Sequence, residues 1–297
     1  MFQRSGPVMP VKLAFRSIFA SLLSALFLSL VLYAEARAAG EASLVEIEKM
    51  SWVAVRDRLN SGATTILIPT GGTEQNGPHM ALGKHNFIVK ETARRIALQL
   101  GDALVAPVLG YVPEGPAGLK VGHMAYPGTL SLPDDVFEKV LENTALSFKT
   151  HGFKRIVFVG DSGGNQSAQG RLAAKLSKAW AGEGVTVLNA SAYYADNGGD
   201  EFLKGQGLTS AEIGTHAGVR DTSELMFVAP DAVSFGKAGA DADGATGDAR
   251  LAKAEWGKVL IEKKVAAAVA EIRSGKPAEA AAKSSGLISW LLSFVTG

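Results

Sequence analysis

The segment FVGDSGGN, residues 158–165, places a serine in a setting that two kinds of hydrolase use for catalysis. Its GDSGG run is the nucleophile signature of trypsin-like proteases, and the same residues satisfy the G-x-S-x-G pattern of a nucleophile elbow. An elbow holds the serine on a sharp turn between a strand and a helix, where an imidazole can take its proton. Ser162 with His216 as its base is therefore one candidate catalytic pair.

The same turn has a second interpretation that needs no nucleophile. The chain contains 34 glycines, so a G-x-S-x-G pattern arises easily by chance. A Gly-rich turn at the start of a helix also lets the backbone approach a bound ligand closely. The trypsin-like interpretation is excluded, because those proteases are all-β and this turn joins a strand to a helix.

Short apolar runs alternate with longer helical patterns on both sides of the turn. Strands are predicted at 64–69, 103–108, 155–159 and 185–189, and helices at 44–59, 87–100, 133–151 and 165–182. This alternation predicts one α/β domain with three layers, α/β/α, around a mostly parallel sheet. Active sites of such sheets lie at the carboxyl ends of the strands, so the loops after Ile68 and Val159 are expected to meet there.

The polar loops, taken together, resemble those of the creatininase family. The matching segments are IPTGGTEQNGPHMALGKHN (68–86), HMAYPGT (123–129), GDSGGN (160–165), HAGVRDTS (216–223) and GATGD (244–248). Their order and spacing match the family from about residue 45 to residue 272. The resemblance implies a creatininase-like fold, an assembly of identical subunits, and hydrolysis of an amide or cyclic amide C–N bond in a small molecule.

The resemblance also implies a centre of two metal ions that activates water. The family's first-loop glutamate is kept as Glu74, and the histidine of its HAG segment is kept as His216. Three other positions change type: a histidine is Asn76, the bridging aspartate is His85, and the histidine of the NGHGGN turn is Ser162. Because these side chains are poor substitutes for the family's ligands, the ordinary two-metal centre is not expected.

New ligand types lie close to the changed positions. Asp161 lies in the quoted turn, and Asp221 stands where the family has a glutamate. With Glu74 and His85 they predict a site for one zinc, manganese or iron ion that keeps an open position for water. In this hypothesis His216 carries the proton.

Four further polar residues of these loops are predicted to line the substrate pocket. They are Asn76, His79, His123 and Asn165. Two alternatives to the metal hydrolase stay open. One is a metal-free serine hydrolase that uses Ser162 and His216, and the other is a family descendant that binds a small molecule without turnover.

The N-terminus predicts export from the cytoplasm. Basic residues precede the apolar run 18–34, and Ala36-Arg37-Ala38 follows it as an A-x-A cleavage pattern. This layout is typical of a secretory signal, here residues 1–38, and predicts a secreted, periplasmic protein. An uncleaved anchor is the alternative, and Met9 is an alternative start.

The rest of the chain is predicted to hold one catalytic domain, 39–275, followed by a linker and an apolar tail, 276–297. The last eleven residues are too few to span a bilayer. They are expected to pack on the body or a partner subunit, with contact to a membrane surface as the alternative. A formal net charge of +1 without a basic stripe excludes a nucleic-acid partner, and the absence of cysteine excludes disulfides and thiolate ligands.

Overall fold

The computed structural model describes residues 44–195 and 197–275. The chain divides into two units, Met1–Leu44 and Val45–Gly297, and every element named below belongs to the second. The predicted signal and the C-terminal tail lie outside the described residues, so both stay predictions. Within the described ranges, no helix is long and apolar enough to cross a bilayer.

Parallel strands and flanking helices alternate along the chain. The strands are β1 Thr65–Thr70, β2 Ala103–Val105, β3 Arg155–Gly160 and β4 Thr186–Asn189. The helices are α1 Trp52–Asn60, α2 Lys84–Leu100, α3 Asp134–Thr150, α4 Gly163–Trp180, α5 Ser191–Tyr194, α6 Gly199–Gly205, α7 Ser210–Ile213, α8 Val219–Val228 and α9 Ala254–Ser274. Short 3₁₀ turns lie at Ile47–Lys49, Gly122–Ala125, Ala181–Glu183, Pro230–Ala232, Phe235–Lys237 and Ala249–Leu251.

The strands form one sheet in the order β2-β1-β3-β4, with every pair parallel. β1 and β3 pair in register along their whole length, so their last residues, Thr70 and Gly160, lie opposite each other. The loops that follow these two strands therefore leave the sheet side by side at one edge. This is the edge at which the sequence predicts the site.

Helices cover both faces of the sheet, which confirms the predicted α/β fold. Successive residues of a strand point to opposite faces. Helices α2 and α9 pack over Leu67 and Val157 on one face, and α3 and α4 pack over Ile66 and Ile156 on the other. All six residues of β1 are buried, which explains why its sequence is a continuous apolar run rather than an alternating one.

Several element boundaries differ from the sequence predictions. α1 begins at Trp52 and not at residue 44, and the side chain of Ser51 caps it by accepting from the N–H of Ala54. β2 ends at Val105 although the prediction extends it to residue 108, because Pro107 has no N–H to donate to a ladder. α2 begins at Lys84 rather than at residue 87. Lys84 and His85 therefore lie in the first turn of a helix and not in a loop, which fixes the direction of both side chains.

Candidate active site

The loop after β1 carries Glu74 to the carboxyl edge of the sheet. The N–H of Glu74 donates to the carbonyl of Leu82 at 3.1 Å, so the loop folds back on itself. Gly71 lets the loop approach α2, because a Cβ there would lie 2.1 Å from Oδ1 of Asn86. That oxygen instead accepts from the N–H of Gly72 at 3.1 Å. Glu74 is thus held on a loop that is clamped to the first turn of α2.

His85 lies between two carboxylates. Its Nε2 is 2.8 Å from Oε1 of Glu74, and its Nδ1 is 2.8 Å from Oδ2 of Asp161. Ionised carboxylates only accept hydrogen bonds, so both ring nitrogens donate and the ring is an imidazolium. Burial and the Lys84 charge act to lower the pKa of His85, but the two carboxylates outweigh them and raise it. Burial likewise opposes ionisation of Glu74, but His85 holds the pKa of Glu74 well below its ordinary value.

Asp161, in the turn after β3, has both oxygens in use. Besides the contact of Oδ2 with His85, Oδ1 accepts from the hydroxyl of Tyr193 at 2.7 Å and from Nζ of Lys264 at 2.9 Å. Lys264 reaches the site from α9 and also donates to Oε2 of Glu224 at 2.6 Å. Burial acts to raise the pKa of Asp161, but Lys264 and His85 hold it well below its ordinary value.

Asp221, in the first turn of α8, pairs with a second buried lysine. Nζ of Lys84 and the N–H of Ala217 both donate to Oδ2 of Asp221, at 2.9 and 2.8 Å. The side chain of Lys84 is only 1% exposed. Burial acts against the charge of each partner, but the pairing holds the pKa of Asp221 well below its ordinary value and raises the pKa of Lys84.

A different group of ligand types lies closer to solvent. Glu74, His123 and His216 each offer one ligand atom, and these atoms all lie within 4.8 Å of one another. Nε2 of His123 is 3.4 Å from Oε2 of Glu74, and Nδ1 of His216 is 3.9 Å from Oε1. The two histidine side chains are 11% and 21% exposed, against 4% for the glutamate. The group therefore opens toward solvent through its imidazoles.

Gln75 contacts both of these imidazoles. Its side-chain nitrogen is 2.9 Å from Nδ1 of His123 and 3.1 Å from Nε2 of His216. Its backbone carbonyl, which can only accept, is 3.0 Å from Nε2 of His216. The side-chain nitrogen of Gln75 only donates and its backbone carbonyl only accepts, so the two contacts with Nε2 of His216 favour opposite tautomers of the ring. Burial, reinforced by the Lys84 charge, lowers the pKa of His216 to about 4, so the ring is neutral at pH 7.

The structure does not place Ser162 beside a base. The serine is 2% exposed and caps α4, with its Oγ accepting from the N–H of Gly164 at 3.3 Å. Its hydroxyl donates to Oε2 of Glu114 at 3.1 Å. Burial, together with the charge of Glu74, raises the pKa of Glu114 well above its ordinary value. Across residues 44–195 and 197–275, no hydrogen bond joins Ser162 to His216.

The residues predicted to line the pocket divide into two groups. Asn76, His79 and Asn165 are at most 1% exposed, so they are closed to a substrate. Asn76 donates to the backbone of its own loop at 2.9 Å, His79 contacts the hydroxyl of Thr222 at 2.9 Å, and Asn165 donates to the end of β1 at 2.9 Å. These three residues brace the loops. Only His123 among the predicted lining residues faces the open group.

The structure brings together the residues predicted to hold a metal, but internal partners use their ligand atoms. The predicted set is Glu74, His85, Asp161 and Asp221. Both nitrogens of the imidazole donate to carboxylates, and both aspartates accept from lysines. The donor set that fits a divalent ion is Glu74 with His123 and His216, since one carboxylate and two imidazoles are a common catalytic metal set. It shares only Glu74 with the predicted one.

Six residues of this site were not singled out from the sequence. They are Gln75, Lys84, Glu114, Tyr193, Glu224 and Lys264. For Lys264 a signal exists, because it interrupts an apolar stripe of α9 formed by Ile261, Val265 and Ala268. Gln75 and Lys84 lie inside a matched motif without a role there, and Glu114 lies in a Gly- and Pro-rich loop that carries no pattern.

The carboxylates and imidazoles converge at the carboxyl ends of the strands, which is where parallel α/β sheets bind their ligands. Residues 48–272 match the model of the Creatininase family, described as creatinine amidohydrolase. Because the match covers most of the chain, the protein belongs to the creatininase family, which confirms the resemblance seen in its loops.

Curated relatives carry three kinds of hydrolytic activity in their names. The chain is 30% identical over 181 residues to a mycofactocin precursor peptide peptidase of Mycolicibacterium smegmatis, covering 59% of this chain and 62% of that protein. It is 29% identical over 120 residues to a 3-dehydro-scyllo-inosose hydrolase of Thermotoga maritima, covering 40% of this chain and 36% of that protein. It is 26% identical over 198 residues to a creatinine amidohydrolase of Pseudomonas putida, covering 64% of this chain and 74% of that protein.

Solved structures show the same fold. A crystal structure of creatinine amidohydrolase superposes with a TM-score of 0.64 at 23% identity, covering 79% of this chain and 99% of that one. A manganese form of creatininase gives the same TM-score and identity, covering 78% and 98%. At this identity the likeness establishes the fold alone.

Proposed function

We propose that the protein hydrolyses an amide or related C–N bond of a small molecule at the open group of Glu74, His123 and His216. The observation that carries this proposal is the convergence of one carboxylate and two imidazoles at the carboxyl edge of the sheet. Relatives support the reaction class, since their names describe an amidohydrolase, a peptidase and a hydrolase.

These three side chains would hold one divalent ion, zinc, manganese or iron. A metal ion bound there would polarise a carbonyl oxygen and lower the pKa of a water molecule. Solved relatives exist in manganese and zinc forms, which supports a metal of this kind.

The protein's own groups prepare this site. His85 donates to Glu74 and keeps that carboxylate ionised and fixed in direction. Gln75 contacts both imidazoles and so sets the angle between their rings. His216 is neutral at pH 7, which is the state in which its lone pair could bind a metal ion.

The test is turnover of a panel of small cyclic and linear amides, including creatinine, by protein purified without chelators or a His-tag. Products are measured by mass spectrometry with zinc or manganese added. We expect Glu74→Gln to lower kcat/KM on the order of 100-fold or more, because it removes the carboxylate of the donor set. Glu255→Gln, at an exposed position of α9, is the matched control and should retain activity. Activity that survives in Glu74→Gln would contradict the proposal.

A second candidate function is ligand binding without turnover. One observation favours it: most carboxylates of the site form ion pairs within the protein. Such pairs occur in purely structural networks as well as in catalytic sites. Saturable binding of an amide from the panel, with no product after prolonged incubation with metal, would support binding over hydrolysis.

We further propose that the chain is exported to the periplasm with cleavage after Ala38, and that it assembles as a homo-oligomer. The basic and apolar pattern of the N-terminus supports export, and the family resemblance supports the assembly. Cell fractionation, N-terminal sequencing and light scattering test both points. A cytoplasmic protein that keeps residues 1–38 would contradict the first, and a monomer would contradict the second.

A further inference from the structure

The site has two ends that differ in how their carboxylates are balanced. We call the first the histidine end; it consists of Glu74, His123 and His216. We call the second the charge-paired end; it consists of Asp161, Asp221 and Glu224 with the two buried lysines Lys84 and Lys264. His85 links the ends, because it contacts Glu74 on one side and Asp161 on the other.

Lys264 occupies the space between two carboxylates. Its Nζ is 2.9 Å from Oδ1 of Asp161 and 2.6 Å from Oε2 of Glu224, and its side chain is 7% exposed. A metal ion bound by the same two oxygens would lie about 2.0–2.6 Å from each of them. The ammonium group therefore stands where such an ion would stand, and the two cannot be present together.

Lys84 pairs with a single carboxylate, that of Asp221. Its Nζ is 2.9 Å from Oδ2, and its side chain is 1% exposed, against 21% for the aspartate. Lysine is almost never fully buried unless it is paired, so two such residues around one site indicate a built arrangement. The second oxygen of Asp161, Oδ2, contacts His85, and Oδ1 also accepts from Tyr193, so both oxygens of that carboxylate have partners within the protein.

We propose that Lys84 and Lys264 are internal counter-cations that close the charge-paired end to metal ions. The protein then takes up at most one divalent ion, at the histidine end, where the family resemblance implies a centre of two. This inference concerns ion binding and does not require that the protein turn over an amide.

The experiment counts metal ions in the full-length protein. Wild type, Lys264→Met and Lys84→Met are saturated with Zn²⁺ or with Mn²⁺, freed of unbound ions, and measured by elemental mass spectrometry. Lys258→Met is the matched control, because Lys258 lies on the same helix as Lys264 with a side chain that is 59% exposed. Methionine is chosen because it keeps the length and apolar stem of lysine without its charge.

We expect one equivalent or less in the wild type and in Lys258→Met, and about one further equivalent in Lys264→Met. A thermal midpoint that rises with added metal in Lys264→Met beyond any rise in the wild type would support the same conclusion. If Lys264→Met does not fold, the metal content of Lys84→Met is compared with that of the wild type to test the pairing at Asp221. The metal content of the wild type is a test that needs no variant.

Two results would overturn the inference. One is two equivalents in the wild type. The other is a folded lysine variant that binds no more metal than the wild type does. A wild type with no metal and a Lys264→Met variant that gains one equivalent would support the inference while contradicting metal use in the proposed function, so the two failures are distinguishable.

Discussion

The charge-paired end and the histidine end differ in the neighbours of their carboxylates. Both contain carboxylates at the carboxyl edge of the same sheet. At the charge-paired end each aspartate accepts from a lysine at 2.9 Å. At the histidine end, besides His85, Glu74 faces two partly exposed imidazoles, those of His123 at 3.4 Å and His216 at 3.9 Å. Residue type alone therefore does not tell which carboxylates of the site are neutralised by an internal cation.

Glu74 shows how the two ends depend on each other. One of its oxygens accepts from His85, and the other faces His123. The hydrogen bond with His85 keeps Glu74 ionised, and His85 in turn is held by Asp161 and Lys264. The charge-paired end thus supports the direction and charge of the carboxylate that the histidine end uses.

The largest expected effect is the loss of Lys264. In metal-free buffer, Lys264→Met should lower the free energy of unfolding by about 3–5 kcal/mol, because it leaves Asp161 and Glu224 buried without their shared cation. Urea denaturation in the presence of a chelator measures this. Lys258→Met, at the surface of the same helix, should stay within about 0.5 kcal/mol of wild type. A loss below about 1 kcal/mol for Lys264→Met would mean that the buried pairing contributes little.

The second prediction uses pH to separate the ends. The pKa of His216 falls from 6.5 to about 4 on folding, so between these values the unfolded chain binds more protons than the native one. His216 therefore makes the metal-free protein less stable as the pH drops from 6.5 to 4, by up to about 3 kcal/mol. His85 has the opposite sign, since its pKa is raised: its contribution is complete below pH 6.5 and is lost as the pH rises through its folded pKa.

Unfolding free energies of His216→Asn and His85→Asn across pH 4–9 test these signs. Relative to wild type, the free energy of unfolding of His216→Asn should rise as the pH falls. The free energy of unfolding of His85→Asn should lie below that of wild type at acidic pH and approach it at alkaline pH. His151→Asn, at an exposed position after α3, controls for changes common to histidine substitution. Equal pH profiles for the two site variants would show that the ends do not differ in charge as the contacts indicate.

The fold and the location of the site follow from the sequence to a large degree. A buried run such as Thr65–Thr70 followed by a polar loop predicts a parallel strand and the edge where it ends, and the structure has both. The strand pattern likewise predicts that the loops after Ile68 and Val159, which carry Glu74 and Asp161, meet at this edge. The pairing of these side chains could not be predicted, because it depends on contacts between residues far apart in the chain. The pairing is decided by Lys264, which is 103 positions from Asp161 in the chain, and by the direction of Lys84 once the helix starts there.

The smallest expected effect concerns Ser162, the residue with the strongest motif. Ser162→Ala should lower the free energy of unfolding by about 1 kcal/mol, the usual cost of losing an N-cap side chain, because its Oγ accepts from the N–H of Gly164 at the start of α4. A catalytic serine would instead show a loss of several orders of magnitude in kcat with little change in stability. We expect turnover within about 10-fold of wild type, since the serine hydroxyl donates to Glu114 and caps a helix. The opposite result would be covalent labelling of Ser162 by a fluorophosphonate probe, with both labelling and activity lost in Ser162→Ala. That result would show that Ser162, and not the histidine end, is the catalytic centre.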